Sequence, residues 1–129
     1  MLRITSLFAF VFLLFFVSCA GPSRPSSPTH NTTASNDAGA AAYSHYKKGA
    51  YDKAIEGFSK AISLNPSDSR NFFYRGAAFG DKGESDQAIK DFSEVIRLEP
   101  GMASAWYNRA FNYKKIGDYN KASKTTASI

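Results

Sequence analysis

Two stretches of the chain place apolar residues at steps of one, three and four, and the second repeats the first 34 residues later. Ala54, Ile55, Phe58, Ala61 and Ile62 make the first set, and Ala88, Ile89, Phe92, Val95 and Ile96 the second. Such steps return to one face of an α-helix, so each stretch predicts an amphipathic helix with a buried stripe. The segments AIEGFSKAISLNP and AIKDFSEVIRLEP align without a gap, and Pro66 and Pro100 stop both helices. The same interval relates Gly49, Gly83 and Gly117, then Asp52, Asp86 and Asn120, then Ala54, Ala88 and Ala122. It also pairs Phe72 with Trp106, Arg75 with Arg109 and Phe79 with Tyr113. Each unit therefore predicts two helices joined at a glycine, which ends the first helix where a left-handed backbone costs least. The Asp and Asn positions are expected to cap the helix that follows, and the alanines to let helices approach closely.

A helical hairpin repeated every 34 residues with these side chains resembles the tetratricopeptide repeat (TPR), over about Ala38 to Ile129. The middle unit carries Phe72, Gly76, Phe79, Ala88, Phe92 and Pro100, and the third carries Trp106, Ala110, Tyr113 and Ala122. The first unit departs, with Ala38 where the large aromatic belongs and His45 in place of Tyr; the third has Thr126 where Phe58 and Phe92 stand. The resemblance implies an all-α fold, a short right-handed solenoid of antiparallel helix pairs with two and a half to three repeats. Its units are expected at about 38–66, 69–100 and 103–129.

In AWYNRA (105–110), Trp106 and Tyr107 are adjacent on a helix and cannot share one narrow stripe. By register Trp106 is expected to pack against the second helix of its own unit. In the family the first helices line a concave groove that receives a peptide, which implies groove positions for Phe73 and Tyr107. Phe111, Lys114 and Lys115 share the face of Tyr107, and the first unit adds Tyr43, Tyr46 and Lys47. The expected groove is aromatic with a basic end. Two readings stay open for these aromatics: contact with a ligand, since Tyr and its kind dominate binding hot spots, or packing between adjacent units. The two-carboxylate clamp of chaperone-binding relatives is absent, because its places here hold Gly39, Tyr43, Tyr74, Ser104 and Asn108.

The N-terminus changes the picture further. Arg3 followed by the apolar run Leu7 to Val17 has the form of an export signal, and eleven apolar residues cannot span a bilayer core of about 30 Å. Cys19, the only cysteine, follows directly after Ser18. A lone cysteine makes no internal disulfide, leaving a free or intermolecular thiol, cleavage before Gly21, or lipidation. Phe16-Val17-Ser18-Cys19 resembles a bacterial lipoprotein signal, with Phe replacing the usual Leu. The implied organisation is a signal peptide over 1–18, then lipidated Cys19 opening a Pro- and Ser-rich tether over 19–37, then the repeats over 38–129. It implies acyl chains, palmitate among them, holding the protein to the bacterial envelope, at the outer membrane in preference to the inner because Ala20 follows the cysteine. The alternative is a secreted or periplasmic protein.

The net charge of +5 is gathered at the C-terminal end, where Arg109, Lys114, Lys115, Lys121 and Lys124 face only Asp118. This field suits anionic partners, but an exported chain is not expected to meet nucleic acid. His30 and His45 stand apart, and no His, Cys or carboxylate spacing suits a metal, so no enzyme, metal or cofactor is expected. The expected function is an envelope-anchored adaptor or assembly scaffold that binds a peptide or protein partner. The alternative is a self-associating structural protein or a fragment of a longer repeat array, since the third unit ends in SKTTASI without a polar cap.

Overall fold

The computed structural model describes residues 31–129. The expected signal segment and Cys19 lie outside the described residues. Six helices follow one another: α1 (Thr32–Lys47), α2 (Tyr51–Leu64), α3 (Ser69–Lys82), α4 (Ser85–Leu98), α5 (Ala103–Lys115) and α6 (Tyr119–Thr126). Each packs on the next, and α1 also touches α3 and α3 touches α5, whereas the even-numbered helices do not meet one another. The odd helices thus form an inner, concave layer and the even helices an outer one.

The repeating side chains explain this stacking. Phe58 and Phe92 are fully buried at equivalent places in α2 and α4, and Ala54, Ala88 and Ala122 pack in the hairpins with almost no exposed surface. One core cluster gathers Phe72, Ala88, Phe92, Val95, Ile96 and Ala105, joining α3, α4 and α5. A second gathers Ala42, Ala54, Phe58 and Ala78, joining α1, α2 and α3. Burying one such aromatic ring stabilises by roughly 1.5–3 kcal/mol. Gly49, Gly83 and Gly117 all take positive φ at the inter-helix turns, as the sequence predicts.

Three expectations are corrected. The expected tether gives way to helix six residues early, at Thr32, because Asn31 caps the helix through its side chain on Ala34 N at 3.2 Å. Ser35, fully buried, donates to the carbonyl of Ala61 at 3.0 Å and fastens this extra turn to α2. Asp52, Asp86 and Asn120 do not cap: the cap positions are Ala50, Glu84 and Asp118, and among these only Asp118 accepts a backbone N–H with its side chain, from Lys121. Asp52 instead pairs with Lys82 across the hairpins at 2.7 Å. Trp106, finally, is only half-buried where full burial inside its unit was expected, and it packs on the cluster built around α4. Its indole N–H donates to the carbonyl of Pro100 at 2.8 Å, and α6 offers only Thr126 where a phenylalanine would have received the ring.

The middle unit carries a polar tie within this packing. Arg75 donates twice to Asp91, Nε to Oδ2 at 2.8 Å and Nη2 to Oδ1 at 2.7 Å. Its Nη1 donates to Ser59 Oγ at 3.0 Å, so one guanidinium joins α2, α3 and α4. Arg109 reaches Ser93 in the same way, at 3.2 Å, and lies over the Trp106 ring at 4.9 Å. Thr125, however, holds the place of Asp91, and the buried Nε of Arg109 has no partner.

Candidate functional site: a groove across the inner helices

The inner layer presents two adjoining cavities that share Tyr74 as their common ridge. The first, about 420 Å³, lies between α1 and α3. Gly39, Ala40 and Tyr43 of α1 form one wall, Asn71 and Tyr74 of α3 the other, and Phe58 lies at the bottom. The rings are in contact: Tyr43 and Tyr74 have centroids 4.8 Å apart, and Phe58 stacks on Tyr74 at 5.9 Å. Asp68 and Arg70 stand at the mouth, with Arg70 Nη2 2.9 Å from Asp68 Oδ2. Hydrogen bonds from the Arg70 side chain hold the Asp68 carboxyl below its ordinary pKa, so the pair is ionised and self-neutralising.

The second cavity, about 240 Å³, runs between α3 and α5. Tyr46, Phe73, Asp81, Phe111 and Asn112 are among its lining residues. Tyr46 donates its hydroxyl to Asp81 Oδ2 at 2.8 Å and bridges α1 to α3. Burial first, and then this bond to a carboxylate, raise the phenol well above its usual pKa.

The residues expected from sequence divide accordingly. Tyr43 and Tyr46 line the groove. Phe73 lies in its floor, half-buried and edge-on to Phe92 at 5.6 Å, so it belongs to cavity floor and core together. Phe111 lines the second cavity and is 50% exposed, while Tyr107, 65% exposed, faces a smaller cleft with Lys114 and Thr126. Lys47 is exposed and lines neither cavity. Lys115 is engaged within the fold: its Nζ donates to the carbonyl of Gly80 at 2.7 Å, tying α5 to α3 beside the Phe111 ring. The expected basic end therefore reduces to Lys114 beside the small cleft.

Sequence reasoning missed Asn71, Asn112, Phe58, Asp68 and Arg70 as groove residues. One signal was available. Gly39 and Gly80 stand where sibling units carry Phe73 and Tyr107, or Tyr46 and Lys114, and each deletion opens one of the cavities.

A family model of the TPR repeat matches residues 42–83, and a second tetratricopeptide-repeat model matches residues 103–125. No curated protein matches the sequence. The crystal structure of MamA has the same fold with a TM-score of 0.72 at 22% identity, over 76% of this chain and 57% of that one. The chain thus spans little more than half of MamA's length. The Arabidopsis OM64 TPR domain is similar with a TM-score of 0.71 at 23% identity, covering 74% of this chain and 78% of that domain. The second TPR of Spaghetti (RPAP3), solved with the HSP90 peptide SRMEEVD, reaches a TM-score of 0.72 at 20% identity, covering 76% and 91%. Repeat period, layered helix order and these likenesses agree: residues 31–129 fold as a short TPR solenoid, with tetratricopeptide repeats matched over 42–83 and 103–125.

Proposed function

We propose that the chain is a protein-interaction module that holds a peptide segment of a partner in the groove across α1, α3 and α5. The observation that carries this reading is the aromatic lining, in which Tyr43 and Phe111 stay substantially exposed on the concave layer. Rings of this kind bury large area on binding at small entropic cost. A similar fold holding an HSP90 peptide supports the mode of binding. The clamp places Gly39, Tyr43, Tyr74, Ser104 and Asn108 carry no cation, so the acidic ligand itself is not proposed here. The experiment is selection of octapeptides from a random library displayed on phage against the full chain. A selected peptide should lose most of its affinity with Tyr43→Ala plus Phe111→Ala, while the melting temperature changes little. A library that returns no binder, or binders indifferent to both substitutions, refutes the groove.

The module is further proposed to sit at the bacterial envelope through acylated Cys19, on the strength of the Val17-Ser18-Cys19 sequence after the apolar run. Two or three acyl chains give stable anchoring where one gives marginal binding. Mass spectrometry of the mature chain tests this; a lipid-free chain starting at Gly21 rejects it.

One observation favours self-association as a second reading. Tyr107 and Phe111 hold the places of Phe73 and Ala77, which the middle unit packs against the cluster containing Ala105 of α5. A second copy could cover them in the same manner. Sedimentation equilibrium at high concentration decides, a strict monomer eliminating this reading.

A further inference from the structure

The rings of the groove leave two polar groups without a full set of partners. Tyr43, in the first cavity, is 39% exposed, and its hydroxyl makes no hydrogen bond among the described residues. Asp81, in the second, accepts the Tyr46 hydroxyl at 2.8 Å and, among the described residues, belongs to no ion pair. Lys115 on the facing helix donates to the Gly80 carbonyl instead, whereas Asp68 at the mouth of the first cavity is already neutralised by Arg70. An aromatic groove with an open ring hydroxyl and one unpaired carboxylate suits a polyproline II strand that carries a cation. Such a strand has no internal hydrogen bonds, offers its carbonyls outward and docks on aromatic-lined surfaces with little loss of freedom.

The chain contains a segment of that description. GPSRPSSPTH (21–30) directly precedes the described residues, its prolines Pro22, Pro25 and Pro28 recur at an interval of three, and Arg24 stands among them. Three residues make one turn of polyproline II, about 9 Å long, so the three prolines share one edge. Packed helices stand about 8–10 Å apart, and successive prolines therefore advance by about one inner helix. The connection is long enough as well. Thr29 and His30 join Pro28 to Asn31 and let it lie up to about 10 Å away. Asn36, which lines the first cavity, is only about 7.5 Å along α1 from Asn31. From Pro28 back to Arg24 is about 12 Å of strand, and the two cavities adjoin at Tyr74. Cleavage before Cys19 and cleavage before Gly21 both leave the segment in place.

Resting on the groove reading above, we propose that residues 22–28 are a ligand of the chain's own groove and cover it until a partner displaces them. Pro28 settles on Tyr43 and Tyr74 in the first cavity, Pro25 crosses the Tyr74 ridge into the second, and the Arg24 guanidinium pairs with Asp81. A weak contact is sufficient, because a short connection holds the segment at an effective concentration of about 1 mM. With an intrinsic dissociation constant of about 0.1 mM, the groove is filled about ten to one, and a competing peptide binds about tenfold more weakly.

The test measures, by isothermal titration against the full chain, an octapeptide selected from the phage library. Pro22→Ser, Pro25→Ser and Pro28→Ser together should strengthen its binding about tenfold. Arg24→Ser alone should strengthen it about threefold in the native chain and leave it unchanged in an Asp81→Asn background. With p-benzoylphenylalanine in place of Ser27, irradiation should join residue 27 to the helix carrying Tyr43 or Tyr74 of the same chain. Equal affinity for the native chain and the proline variant, with affinity still lost on Tyr43→Ala plus Phe111→Ala, overturns self-occupancy and leaves the groove standing. Cross-links found only between two chains overturn it as well, since they give the segment to a second copy. A library without binders to either the native chain or the proline variant removes the groove and this inference together.

Discussion

Exchanging Asp91 and Thr125 between equivalent places tests whether the polar tie of the middle unit stabilises the stack. Asp91 receives two charged hydrogen bonds from Arg75, and the two side chains keep only 7% and 20% of their surface in water. Removing one partner of a buried pair costs about 3–5 kcal/mol, since the other charge is left without its neighbour. Arg75 retains its bond to Ser59 and some access to solvent, which places Asp91→Thr near the lower end, about 3 kcal/mol. For a domain of this size each kcal/mol moves the melting temperature by about 4–8 °C, so the variant should melt at least about 12 °C lower. The reverse change, Thr125→Asp, offers Arg109 Nε the partner it lacks. A charged hydrogen bond contributes about 1.5–3 kcal/mol before the carboxylate's desolvation is subtracted, leaving a gain near 1 kcal/mol. Thermal melts followed by circular dichroism at helical wavelengths, with urea titrations for the free energies, measure both. A loss under about 1 kcal/mol for Asp91→Thr, or a lower melting temperature for Thr125→Asp, refutes the equivalence of the two sites.

Other expected outcomes are simpler. Phe92→Ala removes a fully buried ring and should cost about 3–5 kcal/mol in urea titration, whereas half-exposed Phe111→Ala should cost less than about 1. Comparable losses would mean that Phe111 is core. Gly83→Ala forces an L side chain to φ +93° and should destabilise by about 1–2 kcal/mol; a neutral result would show that the turn can rearrange. The raised pKa of Tyr46 means that its bond to Asp81 contributes fully below the unfolded phenol's value of about 10, and declines progressively as pH rises from there toward the higher folded value. The melting-temperature advantage over Tyr46→Phe should therefore be constant from pH 7 to 9 and begin to shrink above pH 10, and a gap as large at pH 11 as at pH 9 contradicts the bond.

The helical hairpins were legible because the same physical need recurs at a fixed interval. A glycine at each turn, alanines where helices touch and an aromatic in the core all repeat, and the structure uses Gly49, Gly83, Ala54 and Phe58 in those roles. What was not legible depends on neighbours the sequence does not put side by side. Asp52 has the chemistry of a cap, yet the cap falls at Ala50 and Lys82 claims the carboxylate from another helix. Ser, Thr and Asn in 31–37 look like tether by composition, but one capping bond and one buried hydroxyl suffice to extend α1 through them. Half of the groove was visible as exposed aromatics. The other half was hidden because glycines and asparagines carry meaning only when compared with the units on either side.

The succession in which each helix grips its sequence neighbours has a mechanical consequence. Among the described residues α6 is held by α5 alone, so within this stretch the third hairpin can open without disturbing the first, and these three hairpins should yield stepwise from α6 under load. Phe111 belongs to this weaker end and Tyr43 to the firmer one. A bound segment spanning both would act as a splint, so that tension on the partner is resisted most strongly while the groove is filled.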